Sequence, residues 1–404
     1  MRQTESLLNE SLPEDLAENG EKSGVQQEEE IDSPREPFDP SEISIRSKPI
    51  TLDTIMRRIN GNSIRLAPNF QRNVVWNNQR KSLLIESLML NIPIAIFYVA
   101  EDEKGSWDVV DGLQRLTTIK EFVKDKTLKL EGLEFWTEYN GKTIDDLPPV
   151  PYNRIMETEF SFVIIERGTP ESVKYNIFKR INTGGMPLSG QEIRHALFQG
   201  KGADLLVELA QSDEFLRATA NSVNPSRMAD RELILRLLSF LLLGPEGYTA
   251  ADSMEHFLRK GLNILNHVEN LDDKRLIREY GCEMLANIRI RDYTKIRSLF
   301  ALGMNRSAEL FAQNAFRISL ENQTPRAPIN KALFETWGCE LALLSVDKFQ
   351  HLLGKKKKLI KAYDAKKREE PFVRAVSRDS WKKATVDLRF TTVNKLVMEA
   401  IHAD

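Results

Sequence analysis

Cysteine and histidine are scarce in this 404-residue chain, with two Cys and five His. Cys282 and Cys339 lie far apart in sequence. Two cysteines are too few for a disulfide framework or a four-cysteine zinc site, so a reducing, cytoplasmic setting is expected. Long apolar runs are also missing. A run such as Leu237–Leu243, with one serine among its apolar residues, is well short of the roughly 20 residues of a membrane span. The acidic N-terminus carries no apolar stretch, which predicts no secretory leader. No phosphate-binding loop of the GxxxxGK(S/T) form occurs. What is present is ordinary for a folded chain: 41% hydrophobic and 29% charged residues. That excludes a mostly disordered protein and allows two or three domains of about 100–200 residues each.

A net charge of −2 hides an uneven distribution. Residues 1–50 hold 13 Asp/Glu against 5 Lys/Arg, and residues 355–395 hold 14 Lys/Arg against 5 Asp/Glu. An acidic head and a basic end point toward nucleic acid, with the head as a competitor for a basic surface. A solvated tail and a solvated helix face account for the same charges. Within the basic end, the run Lys355, Lys356, Lys357 and Lys358 is the candidate for DNA backbone contact. Residues 1–45 are rich in Glu, Ser and Pro and poor in aromatics, and are expected to be a disordered tail.

Apolar spacing predicts a helix over 51–60, with Leu52, Ile55, Met56 and Ile59 on one stripe. A second helix begins at Asn77 or Asn78 and is closed by Pro93. Ile94–Ala100 and Trp107–Val110 read as strands joined by a turn at Gly105, and Leu113–Lys124 reads as a helix. Glu159–Ile165 is a further strand, followed by a helix over 170–181. Ser189 and Glu192 have the spacing of a capping box. Beyond residue 201 every periodic stretch is helical. The expected fold class is therefore α+β, with an acidic tail (1–45), an α+β domain (46–200) and an all-helical domain (201–404) that ends in the basic segment.

The segment with most chemistry is Asp111-Gly112-Leu113-Gln114-Arg115-Leu116-Thr117-Thr118. A strand ends at an acid, a glycine permits a sharp turn, and a helix starts at once. Such a helix start offers unpaired N–H groups to an anion. Gln114 and Arg115 lie in its first turn, where Arg suits phosphate and Gln can orient water. Asp111 suits Mg²⁺ or a sugar hydroxyl. Asp-Gly at a strand end is also ordinary turn chemistry. A second Gln-Arg pair, Gln71-Arg72, stands upstream in a polar loop. Asn182-Thr183-Gly184-Gly185 is a glycine loop that lets backbone approach a ligand, or simply turns one helix into the next.

Together these segments resemble the DGQQR-motif domain of GmrSD-type, modification-dependent restriction systems, whose fold is similar to ParB and sulfiredoxin. The matching pieces are Phe70-Gln71-Arg72 with Trp76, Leu84–Pro93, Asp111–Thr118 and Phe178–Leu188. Arg227–Phe240 resembles the segment that follows the domain, so the likeness spans about residues 50–245. One departure is Leu113, where the family carries a second Gln. The resemblance implies a bacterial anti-phage defence protein that binds and hydrolyses a nucleoside triphosphate, with Mg²⁺, and couples this to DNA sensing or to a partner nuclease or effector. It assigns catalysis to Asp111, Gln114, Arg115 and Gln71. It assigns nucleotide contact to Arg72, Gly112, Thr117, Asn182, Thr183 and Gly184. An HNH nuclease site needs a His base with further His or Asn ligands. None of His195, His256, His267, His351 and His402 has such neighbours, so no HNH site is legible in the sequence. The alternative is a non-catalytic DNA- or nucleotide-binding subunit of a defence complex.

Overall fold

The computed structural model describes residues 14–16, 22–28, 43–66, 76–102, 104–181, 188–319 and 326–402. The chain divides into two compact units, residues 36–197 and residues 1–35 with 198–404. The first correction to the sequence reading lies at the N-terminus. Strands β1 (Glu14–Leu16) and β2 (Lys22–Gln26) form an antiparallel pair inside the expected disordered tail. Val25 is fully buried, and its neighbour Gln26 donates its N–H to Ile329 O at 2.8 Å. This stretch therefore belongs to the same unit as the chain's C-terminal half.

The sheet-bearing unit runs, in chain order, β3 (Ile45–Thr51), α1 (Leu52–Asn60), β4 (Ile64–Arg65), α2 (Asn78–Met89), β5 (Phe97–Glu101), β6 (Trp107–Asp111), α3 (Leu113–Val123), α4 (Pro149–Met156), β7 (Glu159–Ile165), α5 (Glu171–Ile181) and α6 (Gly190–Leu197). Its five strands are ordered β3-β7-β5-β6-β4. The β3–β7 and β5–β6 pairs are antiparallel, and the β5–β7 and β4–β6 pairs are parallel. Strand β3 lies at an edge, where Pro49 is tolerated because an outward-facing N–H is not needed.

Period-two alternation sends Phe97, Val99, Trp107, Val109, Phe160, Phe162 and Ile164 to one face, where they meet the buried residues of α1, α2 and α3. Ala100, Val110 and Ile165 go to the other face and meet Tyr175, Phe178, Ile193 and Ala196 of α5 and α6. Asn77 caps α2 as expected, its side chain accepting from Arg80 N at 2.8 Å. Glu86, in the middle of α2, is 3% exposed and accepts three backbone N–H groups, from Glu134, Phe135 and Trp136 at 3.0, 2.8 and 2.9 Å. These bonds fix the long connection between α3 and α4, whose Leu128, Leu130 and Leu133 join the main core.

The other unit is helical after residue 198: α7 (Lys201–Ala210), α8 (Asp213–Ala218), α9 (Ala229–Leu243), α10 (Met254–Asn266), α11 (Lys274–Tyr280), α12 (Cys282–Ala286), α13 (Tyr293–Phe311), α14 (Lys331–Leu343), α15 (Val346–Gly354), α16 (Lys356–Lys366), α17 (Glu370–Ser377) and α18 (Lys383–Ile401). No described helix is long and apolar enough to cross a membrane. At the centre of this unit lie charged side chains. Arg236 of α9 and Arg389 of α18 share the fully buried Glu335 of α14. Burial pushes the Glu335 carboxyl above its ordinary value despite the two guanidinium groups. Buried charge is retained here because each ion has partners of opposite sign.

Candidate functional site

Strand β6 delivers Asp111 to the end of the sheet, opposite Tyr98, beside an irregularity in the β5–β6 register. Gly112 follows with φ 95°, a left-handed conformation. A Cβ at this position would lie 2.3 Å from Phe97 Cδ1. Both facts require glycine, one through backbone strain and the other through space. The carbonyl of Gly112 accepts the first intrahelical bond of α3, from Leu116 N at 2.9 Å. No side chain caps this helix start. The N–H groups of its first turn therefore keep the donor capacity that helix geometry leaves unused.

Arg115, in the first turn of α3, has work inside the fold. Its Nη2 donates to Asp111 Oδ2 at 2.9 Å and to Ile96 O at 3.1 Å, and its Nη1 donates to Ala95 O. The guanidinium carbon stands 4.6 Å from the centroid of the Phe97 ring. Burial pulls the group below its ordinary pKa against the pull of Asp111, and it remains a cation at physiological pH. These contacts explain why β5 begins at Phe97 rather than Ile94. The carbonyls of Ala95 and Ile96 turn to the arginine instead of to a neighbouring strand.

Asp111 and Arg115 are thus brought together as a salt bridge with side chains 43% and 13% exposed. Gln114 and Thr117 are half-buried, and their side chains make no hydrogen bond among the described residues. Leu113 packs against both hydrophobic clusters of the unit. Position 113 therefore faces apolar side chains, and a leucine there fits its surroundings. Trp76 packs against the main core with the guanidinium of Arg80 4.6 Å from its ring. Gln71, Arg72, Asn182, Thr183 and Gly184 lie outside the described residues.

The capping box at the start of α6 has both bonds. Ser189 N donates to Glu192 Oε2 at 2.6 Å, and Glu192 N donates to Ser189 Oγ at 3.1 Å. The sequence did not reveal a buried polar group on this same helix. Gln191, Arg194 and His195 are each at most 2% exposed, and Arg194 Nε donates to Gln191 Oε1 at 2.9 Å. The Gln191 amide nitrogen is buried without a partner among the described residues. The available signal was the polar run Gln191–His195 on a helix that also carries Ile193 and Ala196.

No group of three or more His, Cys, Asp or Glu suited to holding a metal occurs among the described residues. Mg²⁺ commonly takes one or two carboxylates together with substrate phosphates. A single Asp111 fits that donor set as one ligand, with one of its oxygens already committed to Arg115.

The lysine run lies in the helical unit, at the start of α16. Lys357 and Lys358 are exposed and Lys355 is half-buried. Lys356 instead donates to Glu309 O at 2.7 Å. Farther along, Lys366 pairs with Glu369 and Lys367 with Asp364. Part of the basic end is therefore spent within the protein.

The arrangement defines an α+β domain whose polar residues gather at a strand–glycine–helix turn. Residues 53–199 match the family model described as the GmrSD restriction endonuclease N-terminal domain. The chain thus carries a GmrSD-type domain, which supports a restriction or defence role. No curated protein and no solved structure matches it.

Proposed function

We propose that the sheet-bearing domain, ParB/sulfiredoxin-like in fold, binds a nucleoside triphosphate at the Asp111–Gly112 turn and hydrolyses it. The observation that carries this reading is the uncapped start of α3 behind a left-handed glycine, with Asp111 ending the strand before it and Gln114 and Thr117 in the helix after it. Backbone N–H groups of the first turn receive phosphate oxygens, and the helix dipole favours their charge. Gln114 orients the attacking water. Arg115 acts through Asp111, holding its carboxylate in place while securing the start of β5. Mg²⁺, when bound with the substrate, neutralises developing phosphate charge, and Asp111 is the residue placed to hold it. Gln71 and Arg72 from the upstream loop, and Asn182, Thr183 and Gly184 from the later one, complete the set by family resemblance. The protein is a cytoplasmic defence component that couples turnover to DNA sensing or to a separate nuclease or effector.

Phosphate release from each of the four NTPs, with Mg²⁺ and with or without DNA, tests the proposal. Turnover of at least one nucleotide is expected. Saturable binding with no release under every condition would make the domain a binding subunit and reject hydrolysis.

A further inference from the structure

The helical unit holds an extended segment of its own chain in a groove built for it. Backbone bonds line both sides of the segment. Asn224 N donates to Ser23 O, Ile329 N donates to Gly24 O, and Gln26 N donates to Ile329 O, each at 2.8 Å. Val25 forms a parallel bridge with Ile329 and is fully buried. Gly24 has φ 75°, and a Cβ there would lie 1.8 Å from Ser222 O, so the groove excludes every larger residue. Asn330 Nδ2 donates to Gln26 Oε1 at 2.8 Å. Two residues on, the Glu28 carboxylate meets the Arg236 guanidinium and accepts from Ser380 Oγ at 2.8 Å.

Charge complements shape. Without the N-terminal segment, three cations (Arg236, Lys331 and Arg389) face two carboxylates, Glu232 and Glu335. Asp15, which pairs with Lys331 at 3.0 Å, and Glu28 bring the carboxylates to four, so that Lys331 and Arg236 each gain a further acid. A main-chain ladder with alternate side chains in pockets is how sheet-adding peptides are recognised. Each feature selects one position of the segment: small at 24, apolar at 25, amide at 26, acid at 28.

We propose that this groove is a peptide-recognition site for an extended strand of pattern Gly-Val-Gln-x-Glu, and that residues 22–28 are its ligand, held in cis and separable from the unit. The segment is then a strap that binds non-covalently, not a length of chain buried for good.

The test nicks the otherwise full-length protein at a protease site inserted between Arg35 and Glu36. Size-exclusion chromatography then asks whether the fragment of residues 1–35 stays with the remainder. Co-elution is expected, followed by displacement when excess synthetic peptide of residues 20–30 is added. Peptides carrying Glu28→Gln or Gly24→Ala should compete about tenfold or more weakly, the first because it removes a charge-assisted contact. Competition against the wild-type nicked protein avoids any folding defect in a protein variant. Loss of the fragment on cleavage would overturn the proposal. So would a fragment that excess peptide never displaces, or variant peptides that compete as well as the native one.

Discussion

In the sheet-bearing unit the charged groups of interest stand where elements end. Asp111 is 43% exposed, and its partner Arg115 lies at the rim of the sheet. In the helical unit the comparable groups lie at the centre, with the side chain of Arg236 4% exposed and those of Glu335 and Arg389 at 0%. The first arrangement leaves an oxygen of Asp111 and the uncapped N–H groups of the helix start for a ligand. The second uses all of its charge to join α9, α14, α18 and the N-terminal segment. A charge near solvent is available for chemistry, whereas a charge in the core is a structural commitment whose loss strands its partners.

That contrast is most strongly tested by deleting residues 1–28. The deletion removes the burial of Val25 and strands part of the Arg236 and Lys331 charge. The helical unit should lose about 5 kcal/mol or more, a fall of about 10 °C or more in its calorimetric transition. A transition unchanged by the deletion would show that the segment's contacts do not stabilise the unit. Next in size is Arg389→Ala, which leaves Glu335 buried with one partner fewer and should cost about 3–5 kcal/mol in urea titration. Breaking the exposed Arg297–Glu208 pair should cost under about 1 kcal/mol.

In the sheet-bearing unit, Arg115→Ala should cost about 1.5–3 kcal/mol, because the carbonyls of Ala95 and Ile96 lose their donors. Arg115→Lys should restore only part of this, since an ammonium cannot span the three acceptors as a fork does. Smaller again is an acid effect at Glu86. Burial pushes this carboxyl up, but the three backbone donors win and hold it below its ordinary value. Its contribution is therefore complete above the ordinary carboxylate range and is lost as pH falls through the folded-state value. Glu86→Gln should flatten the acid limb of the stability profile; an unaltered limb would contradict this. The smallest expected effect on stability is that of Lys357→Gln with Lys358→Gln, within about 0.5 kcal/mol. If these two lysines meet DNA phosphates, the salt slope of binding should fall by about 1.8. Identical slopes would remove the run from any DNA surface.

The elements that sequence periodicity described best are those that carry their own signals. The span of β7, the Asn77 cap and the Ser189–Glu192 box all depend on neighbours within a few residues. What was not legible depends on distant partners. The acidic segment looks disordered because its density of apolar residues is low, and what orders it lies at Ser222–Arg236 and Ile329–Lys331. One trace was available: Arg236 lies inside the apolar stretch Leu233–Leu243 with a single acid, Glu232, one turn before it, and a buried guanidinium there calls for further acceptors from elsewhere. At the turn, the i,i+4 spacing of Asp111 and Arg115 was readable. The carbonyls of Ala95 and Ile96, some 20 residues upstream, were not, so the arginine read as a phosphate ligand alone.

The central claim is that the Asp111–Gly112 turn is a working nucleotide site, and Gln114→Ala tests it most directly. The Gln114 side chain makes no hydrogen bond among the described residues, so the variant should melt within a few degrees of wild type. Mg²⁺-dependent phosphate release is expected to fall about tenfold or more while nucleotide binding persists. Wild-type turnover by the Gln114→Ala protein would contradict it.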